Sequence, residues 1–273
     1  MSQNKAIGIF DSGFGGLNIM QGIVKQLPEY DFVYLGDTAR VPYGNRSKDV
    51  IYEFTRQAVD FLFNHGCELI IFACNTASSD ALRRIQQEYV SVKYPGKNVL
   101  GVLVPAAEEA IQITKNNRIG VMATAATASS GAFNRELFKI NSKVKIFQQT
   151  CPLLVPIVEA GEQNSPIAIL ALKKYLKPLK EKGIDTLILG CTHYGILEKQ
   201  IRKIMGKKVT IISEAKVVPK KLKNYLTRHP EMDTKLDKNG QCQFYSTDIT
   251  ENFNILGSKF FGQKITVKKA ELA

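Results

Sequence analysis

Short apolar runs of strand length recur along the chain, each followed by glycine or small polar residues and then by a longer stretch in which apolar residues return every three or four positions. The runs predict strands at residues 6–10, 32–35, 69–72, 99–102, 118–122, 144–147, 186–189 and 209–212. The longer stretches predict helices at 17–27, 47–65, 78–90, 106–115, 168–182 and 197–205. Strands alternating with helices predict an α/β architecture. Uninterrupted runs such as Leu69-Ile70-Ile71-Phe72 and Leu187-Ile188-Leu189 predict parallel strands buried on both faces. Turn residues set among charges at 93–98 read as a linker.

Two of these units resemble each other. Leu69-Ile70-Ile71-Phe72-Ala73-Cys74-Asn75-Thr76 and Thr186-Leu187-Ile188-Leu189-Gly190-Cys191-Thr192-His193 each run an apolar strand into a small residue, a cysteine and two polar side chains. Their cysteines lie about one small domain apart in sequence. Two similar α/β lobes are expected, each placing a cysteine at the carboxyl end of a strand, where open α/β sheets bind ligands.

Composition narrows the picture. At 273 residues with 44% hydrophobic and 23% charged content, the chain suits one large or two small domains and not a disordered protein. No run approaches the roughly 18 to 20 uncharged apolar residues of a membrane span. The polar start, Met1 to Lys5, leads straight into a strand-like run and does not read as a signal peptide, so a cytoplasmic protein is expected. The excess of 37 Lys+Arg over 25 Asp+Glu, +12, raises a nucleic-acid hypothesis. The basic region 199–228, with Arg202, Lys203, Lys207, Lys208, Lys220, Lys221 and Lys223, carries no interleaved aromatic platforms and reads as a solvated surface, so no nucleic-acid partner is required. Five scattered cysteines without a C-x-x-C pair indicate neither a disulfide framework nor a zinc ribbon, and no metal site is expected.

The candidate chemistry sits after the strands. A thiol at Cys74, just before a helix, should have its thiolate favoured by the helix dipole, with Asn75 and Thr76 as donors beside it; a buried structural cysteine at a tight turn is the plain alternative. Cys191 repeats the arrangement, with Thr192 and then His193 close enough to exchange protons with a thiol near neutral pH. Asp11-Ser12-Gly13-Phe14-Gly15-Gly16 superficially resembles a dinucleotide loop, but Asn18 stands where G-x-G-x-x-G needs glycine. Its glycines are expected to permit an unusual backbone and close ligand approach, with Asp11 and Ser12 facing the cleft; Asp11 as a helix cap is equally open. Pro42-Tyr43-Gly44 makes a fixed turn with a hydroxyl and backbone donors. Thr124, Thr127 and Glu159 are further candidates. Cys67, Cys151 and Cys242 lack comparable polar neighbours and read as structural.

Taken together, Phe10 through Gly16, Leu35 through Arg40 with Pro42-Tyr43-Gly44, Ala73-Cys74-Asn75-Thr76-Ala77, Cys151-Pro152 through Glu159, and Leu189-Gly190-Cys191-Thr192-His193-Tyr194 resemble the glutamate racemases of the aspartate/glutamate racemase superfamily, in the family's order and over most of the chain. The resemblance implies two similar flavodoxin-like lobes with parallel sheets and the active site in the cleft between them: lobe A from 1–98 plus 212–273, lobe B from 99–211. It implies a cofactor-independent isomerase that interconverts L- and D-glutamate, supplies D-glutamate for peptidoglycan, and acts as a homodimer. Cys74 would handle the proton of the D-enantiomer and Cys191 that of the L-enantiomer. Asp11, Ser12, Pro42, Tyr43, Gly44, Asn75, Thr76, Thr124, Thr127, Thr192 and His193 would bind substrate, with Asp11, Glu159 and His193 tuning proton transfer. Two segments depart from the family's usual pattern: Val104-Pro105-Ala106-Ala107, and Ile211-Ile212-Ser213-Glu214-Ala215. A relative acting on aspartate or another acidic amino acid is the alternative, and the side-chain pocket, not the cysteines, decides it.

Overall fold

A computed structural model describes residues 5–272; the polar start lies outside them except for Lys5. Its strands are β1 (Ala6–Asp11), β2 (Phe32–Gly36), β3 (Cys67–Phe72), β4 (Asn98–Gly101), β5 (Arg118–Ala123), β6 (Lys145–Thr150), β7 (Thr186–Gly190), β8 (Thr210–Ile212), β9 (Cys242–Ser246) and β10 (Val267–Lys269). They form two sheets with the orders β10-β9-β2-β1-β3-β4 and β6-β5-β7-β8, and every pairing is parallel. The order β2-β1-β3-β4 is repeated in β6-β5-β7-β8, so the fold is α/β with two lobes that share a four-strand topology. In both, the strand order reverses beside the first strand of the lobe, the place where such sheets accept ligands.

The continuous apolar runs have a physical reason. Along β1, Ile7 and Ile9 join the core that runs on into the second lobe, while Ala6 and Phe10 join a second core under the helix Lys48–Asn64. β3 divides in the same way, Leu69 and Ile71 to one core, Ile70 and Phe72 to the other. With helices on both faces, neither side of these strands can be polar. Ser47 and Ser165 cap the helices Lys48–Asn64 and Pro166–Glu181 by accepting from the amides of Val50 and Ala168.

Strand pairing shows which sheet the residues beside the expected boundaries join. β4 pairs with β3, so residues 99–101 belong to the first sheet, and Ile212 pairs with Ile188 in the second. The segment 93–98 is a turn between a helix and β4 within the first lobe, with Lys97 donating to the Cys67 carbonyl at 2.7 Å. The chain crosses instead through the helix Leu103–Ile113 and returns through Glu214–Arg228. The returning helix packs on Leu17–Gln26 so closely that a Cβ on Gly22 would lie 2.3 Å from the Ala215 carbonyl oxygen. Among the described residues no helix is long and apolar enough to cross a membrane. In the basic region, Arg202 and Lys216 pair with Glu198, and Lys221 pairs with Glu108.

Candidate active site

Cys74 follows β3 and Cys191 follows β7, the equivalent strands of the two sheets. Each stands at the residue before a helical turn, Asn75–Asp80 in one case and Thr192–Leu197 in the other. Both thiols line one cavity of about 200 Å³, enough for a small molecule. Ser12, Pro42, Tyr43, Gly44, Asn75, Thr76, Thr124, Glu159, Thr192 and His193 line it too. Residues that the sequence had not singled out complete the wall: Val41, Asn45, Ala125, Cys151, Pro152, Val155 and Pro156. Cys151, read as structural, is thus a wall residue, although its thiol donates to the Gln149 carbonyl. Only its place in the shared motif with Glu159 could have signalled this.

Two expected site residues stand behind the wall. Asp11 is fully buried and does not face the cleft. It accepts from the Gly13 amide at 3.1 Å, and the Gly16 amide and Thr192 hydroxyl lie near enough to act on its charge. Burial pushes its carboxyl up, against the lowering influence of His193 and these donors. Thr127 is also fully buried; its amide donates to Thr124 Oγ1, making Thr124 both a wall residue and a helix cap. Thr124 meets Thr76 across the lobes at 3.1 Å. Tyr43 faces the cavity, but its hydroxyl donates to Asp37, which leaves it no hydrogen to give a ligand.

The glycine loop does something other than expected. None of Gly13, Gly15 and Gly16 has positive φ. A Cβ on Gly15 would lie 2.5 Å from Thr192 Oγ1 and 2.8 Å from His193 Nδ1. The glycine therefore admits the protein's own second cysteine loop, not a ligand.

The electrostatics of the two thiols differ. Cys74 donates to Ser12 Oγ at 3.4 Å. Burial, with the charge of Asp11 behind it, pushes this thiol up to about 12, and the opposing Ser12 hydroxyl and Ala77 amide do not compensate. Burial thus favours the protonated form of Cys74, opposite to the expected thiolate bias. On the other side, His193 Nδ1 lies 3.8 Å from Cys191 Sγ, and its Nε2 lies 3.1 Å from Glu159 Oε1. Burial would lower the imidazole, but its hydrogen bonds to Cys191 and Glu159 hold it up at about 10. A chain of Glu159, His193 and Cys191 results, suited to moving a proton at that sulfur.

One buried group was named in the sequence only within a segment that departs from the family's usual pattern. Glu214 accepts from Asn75 Nδ2 at 2.7 Å.

The sequence matches the family described as Asp/Glu/Hydantoin racemase over residues 7–219. A glutamate racemase of Geobacter metallireducens is 37% identical over 261 residues, covering 96% of this chain and 94% of that protein. A glutamate racemase structure from Bacillus anthracis superposes with a TM-score of 0.90 at 33% identity, covering 99% of this chain and 98% of the other. One from Francisella tularensis, in complex with D-glutamate, gives 0.88 at 33% identity, with 98% of each chain covered. The chain belongs to the Asp/Glu/Hydantoin racemase family, and within it to the glutamate racemases.

Proposed function

We propose that the protein racemises glutamate by a two-base mechanism, with Cys74 and Cys191 acting on opposite faces of Cα. The observation that carries this is the arrival of one thiol from each lobe, from equivalent strand ends, at the wall of a single small cavity. Inverting a stereocentre without moving the substrate requires a base on one face and an acid on the other. Each residue must serve in both roles; an ordinary thiol pKa is about 8.5, and burial of Cys74 favours its protonated form, so Cys74 stands ready as the acid when L-glutamate reacts.

Cys191, beside His193 and Glu159, removes the proton of L-glutamate, and Cys74 delivers one to the other face. The reverse reaction exchanges the roles. Ser12, Asn75, Thr76, Thr124, Thr192 and the turn at Pro42, Tyr43 and Gly44 hold the substrate, with hydroxyl, amide and backbone donors taking up charge that develops on the α-carboxylate. Asp11 and Thr127 act from behind the wall, Asp11 through its charge near His193 and its field at Cys74. The product D-glutamate would feed peptidoglycan synthesis in the cytoplasm, with the protein as a homodimer, a state that sedimentation velocity reads directly.

The test is incubation of the protein with L-glutamate in deuterated water. Optical rotation is expected to decay to zero while deuterium enters at Cα. Absence of exchange with any acidic amino acid would overturn the proposal. Aspartate outranking glutamate in kcat/KM would favour the related acid racemase instead.

A further inference from the structure

We propose that Glu214 is a positioning residue that fixes the side-chain amide of Asn75 at the cavity wall, and with it a donor that the substrate's carboxylate meets. The proposal rests on the racemase function above. Asn75 follows Cys74 directly and lines the cavity. One hydrogen of its amide nitrogen goes to Glu214 Oε2 at 2.7 Å, leaving the second N–H. An asparagine amide has nearly the same shape either way round, so its orientation is set by what its two ends meet. Glu214 offers an acceptor, which selects the nitrogen end.

The carboxyl comes from the opposite side of the molecule in sequence and topology. It begins the helix Glu214–Arg228, just after β8 of the second sheet, whereas Asn75 begins the helical turn after β3 of the first. Glu214 also lies at the back of the other cysteine loop, sharing a small void with Cys191 and Thr192. Both members of the pair are almost fully buried. Among the described residues, Asn75 Oδ1 and Glu214 Oε1 have no hydrogen-bond partner, so the single bond between them is what orients both side chains.

Burial raises Glu214 well above the usual carboxylate range, the neighbouring Asp11 adds to this, and the Asn75 bond opposes it. Its Oε2 accepts from the Asn75 amide. A glutamine carbonyl has the same shape and acceptor character, whereas methionine keeps nearly the same volume and has no comparable acceptor.

The experiment compares racemisation of L-glutamate by the whole protein and its variants, with a thermal melt of each. Glu214→Met is expected to raise KM about tenfold while kcat changes less than about threefold, the size of one lost hydrogen bond to a charged ligand. Glu214→Gln is expected to restore KM to within about twofold. On an Asn75→Ala background, Glu214→Met should add less than about twofold, because its effect runs through that amide. Should Glu214→Met fail to fold, Glu214→Leu carries the same expectations. An unchanged KM in the acceptor-free variant, a glutamine variant as impaired as methionine, or a full effect without Asn75 would each overturn the proposal. A wild-type protein that does not racemise glutamate would overturn the underlying function as well, and only that outcome does so.

Discussion

The two cysteine loops occupy equivalent places in a repeated topology and have different surroundings. At Cys74 the neighbours are a hydroxyl, an apolar wall and a buried aspartate, and desolvation dominates. At Cys191 an imidazole and a carboxylate stand in line with the sulfur. The repeat fixes where the sulfurs are, because strand order and register are set by buried apolar packing. The loops fix what each sulfur can do, because a few polar side chains decide the local field. Position and proton affinity are thus separable features of this site.

The largest expected effect removes the chemistry on either side. Cys74→Ser and Cys191→Ser should each lower the racemisation rate by about a thousandfold, the middle of the range for a positioned acid/base, in a polarimetric assay. Wild-type turnover in either variant would show that the two loops are not a pair. Next comes the approach of the glycine loop to the Cys191 side. Gly15→Ala places a methyl against Thr192 and His193, and misplacing reacting groups by about an ångström costs on the order of a hundredfold. A Gly15→Ala enzyme with normal kcat/KM would mean that the second loop tolerates displacement.

Smaller changes probe the asymmetry itself. Glu159→Gln weakens the hold on His193 and is expected to lower kcat/KM about tenfold. L- and D-glutamate should be affected equally, since their equilibrium constant is one. A variant with unchanged kcat/KM would remove Glu159 from the proton path. A different effect is on stability. His193 keeps its proton to about 10 in the fold against about 6.5 when unfolded. The native state therefore binds the extra proton between these values. Its stabilisation is fully present below about 6.5 and is lost as pH rises toward about 10, by up to about 1.4 kcal/mol per unit. His193→Asn should flatten the fall in urea midpoint between pH 6.5 and 8.5; an unchanged slope would assign it to other groups.

Much of this was legible in the sequence, for reasons tied to particular residues. β1, β3, β5 and β7 announce themselves because sheets covered on both faces need apolar side chains at every position. β9 and β10 were missed: Cys242-Gln243-Phe244-Tyr245-Ser246 and Val267-Lys268-Lys269 lie at the outer side of the larger sheet, where polar residues are tolerated. The helix Glu214–Arg228 escaped notice because Pro219 and many lysines interrupt its apolar spacing, although Val217, Val218, Leu222 and Leu226 are buried.

The sequence by itself determined the α/β class, the paired strand-cysteine units and the resemblance to glutamate racemases, since periodicity and local motifs are properties of neighbouring residues. Only the tertiary structure decided that Asp11 stands behind the wall, that the Tyr43 hydroxyl is taken by Asp37, that Gly15 makes room for His193, and that Glu214 reaches Asn75. Those facts join residues far apart in the chain. Burial and charge at a given atom depend on which distant segments fold against it, and no local pattern records that.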